Sequence, residues 1–155
     1  MFTVDRADLS DCPLLAETSR AAFEQEASYS RRGRSRPPGY DSPRWHTLAF
    51  RWGCVLRIVL NETIIGGAIV IRNGRSALEL GRIWLAPDHQ GIGLGREALY
   101  QLEARSRPDT RWMVDAPVWN HRAIHFYTVC GYREIGRAAD AIYYEKIILP
   151  TRPSN

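Results

Sequence analysis

The chain has 155 residues, 45% hydrophobic and 25% charged, which is the size and balance of one globular domain and excludes a disordered or fibrous protein. No apolar run approaches the ~20 residues that cross a bilayer, and the start MFTVDRADLSDC lacks the basic and apolar segments of a secretory leader, so a cytoplasmic location is expected. The net charge of +4 rests almost wholly on arginine, with Lys146 the single lysine; that suits bidentate contact with phosphate or carboxylate and is too small to demand nucleic acid.

Phe2-Thr3-Val4 reads as a short first strand. A helix is expected from about Asp11 to Glu26, with Pro13 in its first turn and Leu15, Ala22 and Phe23 on one face. Residues 28–45, SYSRRGRSRPPGYDSPRW, hold five arginines, three prolines and two glycines without an apolar period, which makes a long surface loop. A short helix follows at about Pro43 to Arg51. Three strand-like runs come next: CVLRIVL, TIIGGAIVIR and SALELGRIWLAP. Asn61-Glu62 and Asn73-Gly74 separate them, and Asn-Gly predicts a tight hairpin.

A glycine-rich stretch then leads into a helix ending near Arg105, followed by the strand RWMVDAPV. Strand, helix and strand make a right-handed parallel crossover. A further helix covers about Asn120 to Cys130, with Asn120 as N-cap and Gly131 as stop. Two strands, YREIGR and IYYEKIIL, close the chain. The fold class is α/β: one mixed sheet with an antiparallel N-terminal meander and a central parallel βαβ step, flanked by helices. Residues 1–150 make the domain and 151–155 a C-terminal tail.

Cys12, Cys54 and Cys130 are odd in number and far apart, which fits reduced thiols rather than disulfides or a zinc site. Of the four histidines His121 and His125 stand one helical turn apart, but no carboxylate or Cys joins them nearby, so no metal is expected.

The chemistry concentrates at Gln90-Gly91-Ile92-Gly93-Leu94-Gly95. Glycines let backbone N–H groups close on a ligand, and the helix start that follows adds partial positive charge, so phosphate or diphosphate is the natural guest. Gly93 to Ala98 also satisfies GxGxxA, with Asp115 downstream, but Pro87-Asp88-His89-Gln90 intervene after the preceding strand and hairpins precede it, against a dinucleotide fold. No Gly-Lys-Ser/Thr supports a nucleoside triphosphate loop.

LELGRIWLAPDHQGIGLGREAL resembles the central motif of the GNAT superfamily of N-acetyltransferases, with Gln90 to Gly95 on its Q/R-x-x-G-x-G/A pattern. NHRAIHFYTVCGY resembles the second signature, matched at Asn120, Ala123, Phe126, Tyr127, Gly131 and Tyr132. The order of strands and helices agrees from end to end except for the arginine loop. The resemblance implies a GNAT-like single domain that binds acetyl-CoA. By that reading Gln90 and the amides of Gly91, Ile92, Gly93, Leu94, Gly95 and Arg96 hold the diphosphate. The backbones of Ile83 and Leu85 pair with pantetheine, the Leu85 N–H faces the thioester carbonyl, and Asn120 holds the pantetheine arm.

Acetyl transfer to an amine requires a base for the ammonium, a donor for the oxyanion and a proton for the leaving thiolate. Asn120, Ala123 and Tyr127 share one helix face at i, i+3, i+7, and the family's usual general acid stands at Tyr127. Tyr132, leading into a strand, reads as structural. Strand alternation places Glu79, Gly81, Ile83 and Leu85 on one face, making Glu79 the base, with Asp115 in reserve. Several members of the family resembled carry a basic glutamate at that position. An acyl-cysteine at Cys130 lacks any neighbour that would lower its pKa.

The expected acceptor is a primary amine on a small molecule or peptide. Arg31, Arg32, Arg34, Arg36 and Arg44 suit an acceptor bearing carboxylate or phosphate, and Trp45, Trp52 and Trp84 suit an apolar acceptor site. An aminoacyl-tRNA acetylating toxin is the lesser enzymatic alternative, and a non-catalytic acyl-CoA sensor is the alternative of another class. No membrane partner is expected, and a homodimer is common in the family resembled.

Overall fold

The computed structural model describes residues 1–28 and 36–150. Within them seven strands, β1 (Phe2–Arg6), β2 (Cys54–Leu60), β3 (Thr63–Arg72), β4 (Ala77–Leu85), β5 (Arg111–Pro117), β6 (Arg133–Arg137) and β7 (Ala141–Ile147), form one sheet. Its order is β1-β2-β3-β4-β5-β7-β6. All neighbours run antiparallel except β4 and β5, which are parallel. The helices are α1 (Cys12–Ser28), α2 (Pro43–Ala49), α3 (Leu94–Ala104) and α4 (His121–Val129). The meander and the single parallel step are those expected from the sequence. Arg31, Arg32 and Arg34 lie outside the described residues.

Each face of the sheet carries a helical layer. Ala98, Leu99 and Leu102 of α3 and Tyr127 of α4 pack on Leu56, Ile58, Ala68 and Leu80. On the opposite face Leu15 and Ala22 of α1 and Ala49 of α2 pack on Val55, Ile69 and Trp84. Burying side chains of this size stabilises by about 1.5–3 kcal/mol each, so both layers are held by the ordinary hydrophobic term. One polar cluster is built into the α3 layer. Buried Glu103 accepts from the Tyr132 hydroxyl (2.8 Å) and from Lys146 Nζ (2.7 Å), so the single lysine serves the interior.

Two local features depart from expectation. The tight two-residue turn stands at Asn61-Glu62, where φ is +48° and +68°, both left-handed. The Asn73-Gly74 hairpin is instead a four-residue connection, 73–76, with the Asn73 N–H donating to the Ala77 carbonyl (2.9 Å). The cause is the next strand: the Ser76 carbonyl accepts from the Arg111 N–H (2.8 Å), which draws it toward β5.

The second departure lies within β4. Ile69 pairs with Arg82 but Val70 with Leu80, so Gly81 is an extra residue, a β-bulge. Paired residues of an antiparallel ladder share a face. Glu79, opposite Ile71, therefore lies with Arg82 and Trp84 on the α1/α2 face, whereas Leu80, Ile83 and Leu85 turn to α3 and α4. Simple alternation, which places Glu79 with Ile83 and Leu85, is overturned by that one residue.

Candidate active site

The parallel pairing of β4 with β5 covers only Ala77↔Arg111, Leu78↔Trp112 and Glu79↔Met113. β4 continues to Leu85 and β5 to Pro117, the latter still paired with β7, so the two strands part beyond Glu79. The Ala86 N–H donates to Ile65 of β3 (2.8 Å). Successive N–H groups of a strand alternate in direction, so those of Leu85 and Ile83 turn toward β5, where the ladder has stopped. Two backbone groups are thus presented to an open seam.

The glycine stretch borders the same end of β4. Gly91 (φ +79°) and Gly93 (φ +89°) are both left-handed, and a Cβ built on either meets nothing within 4 Å. The amides of Gly91, Ile92 and Gly93 have no backbone acceptor among the described residues, and Leu94, Gly95 and Arg96 form the first turn of α3, where N–H groups lack an intrahelical partner. Gly95 packs closely, its Cβ position 3.4 Å from the Phe126 ring. The result is a cradle of donors with open space beside its two left-handed glycines, which fits a diphosphate. Gln90 braces it: its Nε2 donates to the Leu85 carbonyl (2.8 Å), and its Oε1 accepts from Arg122.

α4 supplies the other wall. The Asn120 side chain caps it by accepting from the Ala123 N–H (3.1 Å), and Gly131 (φ +93°) follows its end. Asn120 and Tyr127 are both buried. Burial, followed by the charges of Glu26, Asp115 and Cys130, pushes the Tyr127 phenol well above its ordinary value, so it is protonated and available as a donor. Tyr132 is engaged with Glu103, in keeping with a structural part. Burial and the charge of Glu103 raise the Cys130 thiol, which is the wrong direction for a nucleophile.

On the α1/α2 face, Glu79 stands half-buried where the seam opens. Trp45, Trp52 and Trp84 gather on this side: Trp45 meets Trp52 at 5.5 Å and His46 at 5.1 Å, and His46 meets Trp84 at 5.6 Å. Trp84 is buried and its indole donates to Thr18 Oγ1 (3.0 Å). Arg36 is neutralised by Glu24 (2.8 Å).

Sequence reading missed Glu26. This half-buried carboxylate accepts from Asn120 Nδ2, and desolvation raises its pKa against the lowering charge of Arg122. The available signal was its position. Leu15, Ser19, Ala22 and Glu26 follow at i, i+4, i+7 and i+11, so an acid continues the buried stripe of α1. The site therefore has its glycine cradle and Tyr127 reached from the α3/α4 layer, and Glu79 and Glu26 reached from the other. No group of three or more His, Cys, Asp or Glu side chains gathers as a metal site among the described residues, and no helix there is long and apolar enough to cross a membrane.

The profile described as Acetyltransferase (GNAT) family matches residues 20–132. Among solved structures, the PaiA N-acetyltransferase from Thermoplasma acidophilum, in complex with coenzyme A, is similar at TM-score 0.77 and 16% identity, covering 95% of this chain and 99% of that one. An acetyltransferase from Thermus thermophilus is similar at TM-score 0.77 and 18% identity, covering 96% and 97%. The ribosomal-protein-S18-alanine N-acetyltransferase from Escherichia coli gives TM-score 0.73 and 19% identity over 100% and 99%. No curated protein matches the sequence.

Proposed function

Because the chain belongs to the Acetyltransferase (GNAT) family, we propose that it is an N-acetyltransferase that moves the acetyl group of acetyl-CoA directly onto a primary amine. The observation that supports this most is the seam between β4 and β5 opening beside the left-handed glycine cradle. Acetyl-CoA supplies an activated acyl group on a thiol leaving group.

The chain's own residues divide the work by layer. Amides from Gly91 to Arg96 hold the diphosphate, and Gln90 keeps their loop against β4. The backbone groups of Ile83 and Leu85 take the pantetheine arm as an added strand would, and the Leu85 N–H is the donor for the developing oxyanion. Asn120, whose side chain caps the start of α4, stands beside the pantetheine arm and holds it there. Glu79, on the acceptor side, takes the proton that the ammonium must lose, with Asp115 and Glu26 as the other carboxylates on or facing that side. Tyr127 donates to the leaving sulfur from the opposite layer. The acceptor is a small-molecule or peptide amine. The toxin alternative draws little support from the described part of the arginine loop, where Arg36 is already paired with Glu24.

Calorimetry with coenzyme A and acetyl-CoA tests the foundation, and thiol release across a broad panel of primary amines tests the reaction. We expect binding, and turnover on at least one amine. Glu79→Gln should lower kcat/KM on that amine by roughly a hundredfold with acetyl-CoA affinity unchanged. Absence of heat with either ligand overturns the reading, and wild-type turnover by Glu79→Gln overturns the assignment of the base.

A further inference from the structure

Arg82 occupies an unusual position for a cation. It lies on the α1/α2 face of β4, the next side chain after Glu79 on that face because Gly81 is bulged out. Its guanidinium is stacked 4.2 Å from the centre of the Trp45 ring and 5.8 Å from that of Phe23. Nη2 donates to the Pro38 carbonyl (3.0 Å). Nη1 is buried with no hydrogen-bond partner, and no carboxylate pairs with this arginine among the described residues. Desolvation alone brings its pKa down to about 10.

A half-buried cation without counter-charge is costly, and a buried polar atom left unmet in a native structure calls for an explanation. The surroundings extend the observation. His46, fully buried, has Nδ1 on the Ser42 carbonyl (2.7 Å) and Nε2 without a partner; burial, and after it the charge of Arg82, depresses its pKa against the Ser42 hydrogen bond. Ser19 Oγ on α1 is likewise buried and unpartnered. Arg82, His46 and Ser19 thus each bring an unspent polar atom to the layer between α1, α2 and β4, and Arg82 is a fixed, flat cation whose fork matches a carboxylate.

We propose that Arg82 anchors a carboxylate of the acceptor, so that the substrate class is a free amino acid whose amine is directed to Glu79. This rests on the acetyl-transfer reading above and deepens it. Alternate positions on a strand face lie roughly 6–7 Å apart, and a molecule with an amine and a carboxylate on one carbon spans that interval between the two side chains. Trp45 holds the guanidinium plane, and the aromatic side chains of this layer supply apolar contact for the rest of the acceptor.

The test compares amino acids with their decarboxylated amines as acceptors: lysine with cadaverine, phenylalanine with phenethylamine, tryptophan with tryptamine, and further pairs across the panel. The same compounds are titrated calorimetrically into full-length protein saturated with coenzyme A. The best amino acid is expected to exceed its decarboxylated partner by roughly tenfold or more in kcat/KM and in affinity, since a site built for a polar group discriminates against its loss. Arg82→Gln should raise KM for that amino acid, hold kcat near wild type and collapse the preference. Arg82→Lys keeps the charge without the fork, should fall between the two, and serves if the glutamine variant does not fold. Equal or better use of the decarboxylated amines overturns the proposal. So does a preference that survives in both variants, or no binding by any amino acid. Loss of coenzyme A binding is a separate result that strikes the acetyl-transfer reading itself.

Discussion

Asn120 Nδ2 donates to the Glu26 carboxylate and so ties the end of α1 to the start of α4, joining the two helical layers at the open end of the sheet. Desolvation holds the Glu26 carboxyl above its ordinary value, and the Arg122 charge only partly opposes this. The native state therefore binds this proton more tightly than the unfolded chain does. The stability linked to it is complete below the ordinary carboxylate range and declines as pH rises through the raised native value. Glu26→Gln retains an acceptor for Asn120 without the charge. Thermal melts of the variant should exceed wild type at neutral pH and converge with it at about pH 4; an equal shift at both would mean that the carboxylate is not penalised.

Tyr127→Phe removes one hydroxyl from a buried ring that also makes edge contacts with Phe126 (5.3 Å) and Tyr132 (5.8 Å). Those contacts survive, so the fold and coenzyme A affinity should be retained. kcat should fall by about a hundredfold, the usual contribution of a positioned proton donor. Steady-state kinetics on a good acceptor, beside calorimetry with coenzyme A, read the two effects apart.

Gly93→Ala tests the cradle by backbone alone. A Cβ there meets no atom, but φ is +89°, so the cost is conformational, about 1 kcal/mol for an alanine at positive φ. Because the strain is relieved by moving the amides, coenzyme A should bind roughly fivefold to tenfold more weakly. Unchanged affinity by calorimetry would remove these amides from the binding site.

Lys146→Met leaves Glu103 buried with only the Tyr132 hydroxyl as donor. Lys146 Nζ also donates to the Cys130 carbonyl (2.8 Å), so the last turn of α4 loses a tie as well. The pair is not fully enclosed, the lysine side chain being 29% exposed, and the expected loss is about 2 kcal/mol. Urea denaturation should show it as a lower midpoint at an unchanged slope. The double variant Glu103→Leu, Lys146→Met should recover much of that loss, because no uncompensated charge then remains.

The elements that could be read ahead of the structure are those whose signals are local. Near-continuous apolar runs gave β2 and β3 within their observed bounds, Asn120 announced the cap of α4, and a glycine-rich stretch leading into a helix announced the cradle. What escaped depends on partners distant along the chain. Asn73-Gly74 has tight-turn chemistry, but the Arg111 amide takes the Ser76 carbonyl and lengthens the connection. Glu26 looks like one of several surface acids of α1 until Asn120, 94 residues later, is placed beside it. The same holds for Arg82, which is stacked between Trp45 and Phe23 without a carboxylate partner among the described residues.

Gly81 makes β4 read differently on either side of it. Excising that glycine would restore an unbroken pleat and rotate everything upstream by half a turn. Glu79 would then swing beneath α3 and α4, and Leu80 would be thrust toward the tryptophans. A chain shorter by its smallest residue would thus keep its strands and helices while carrying Glu79 on the opposite wall.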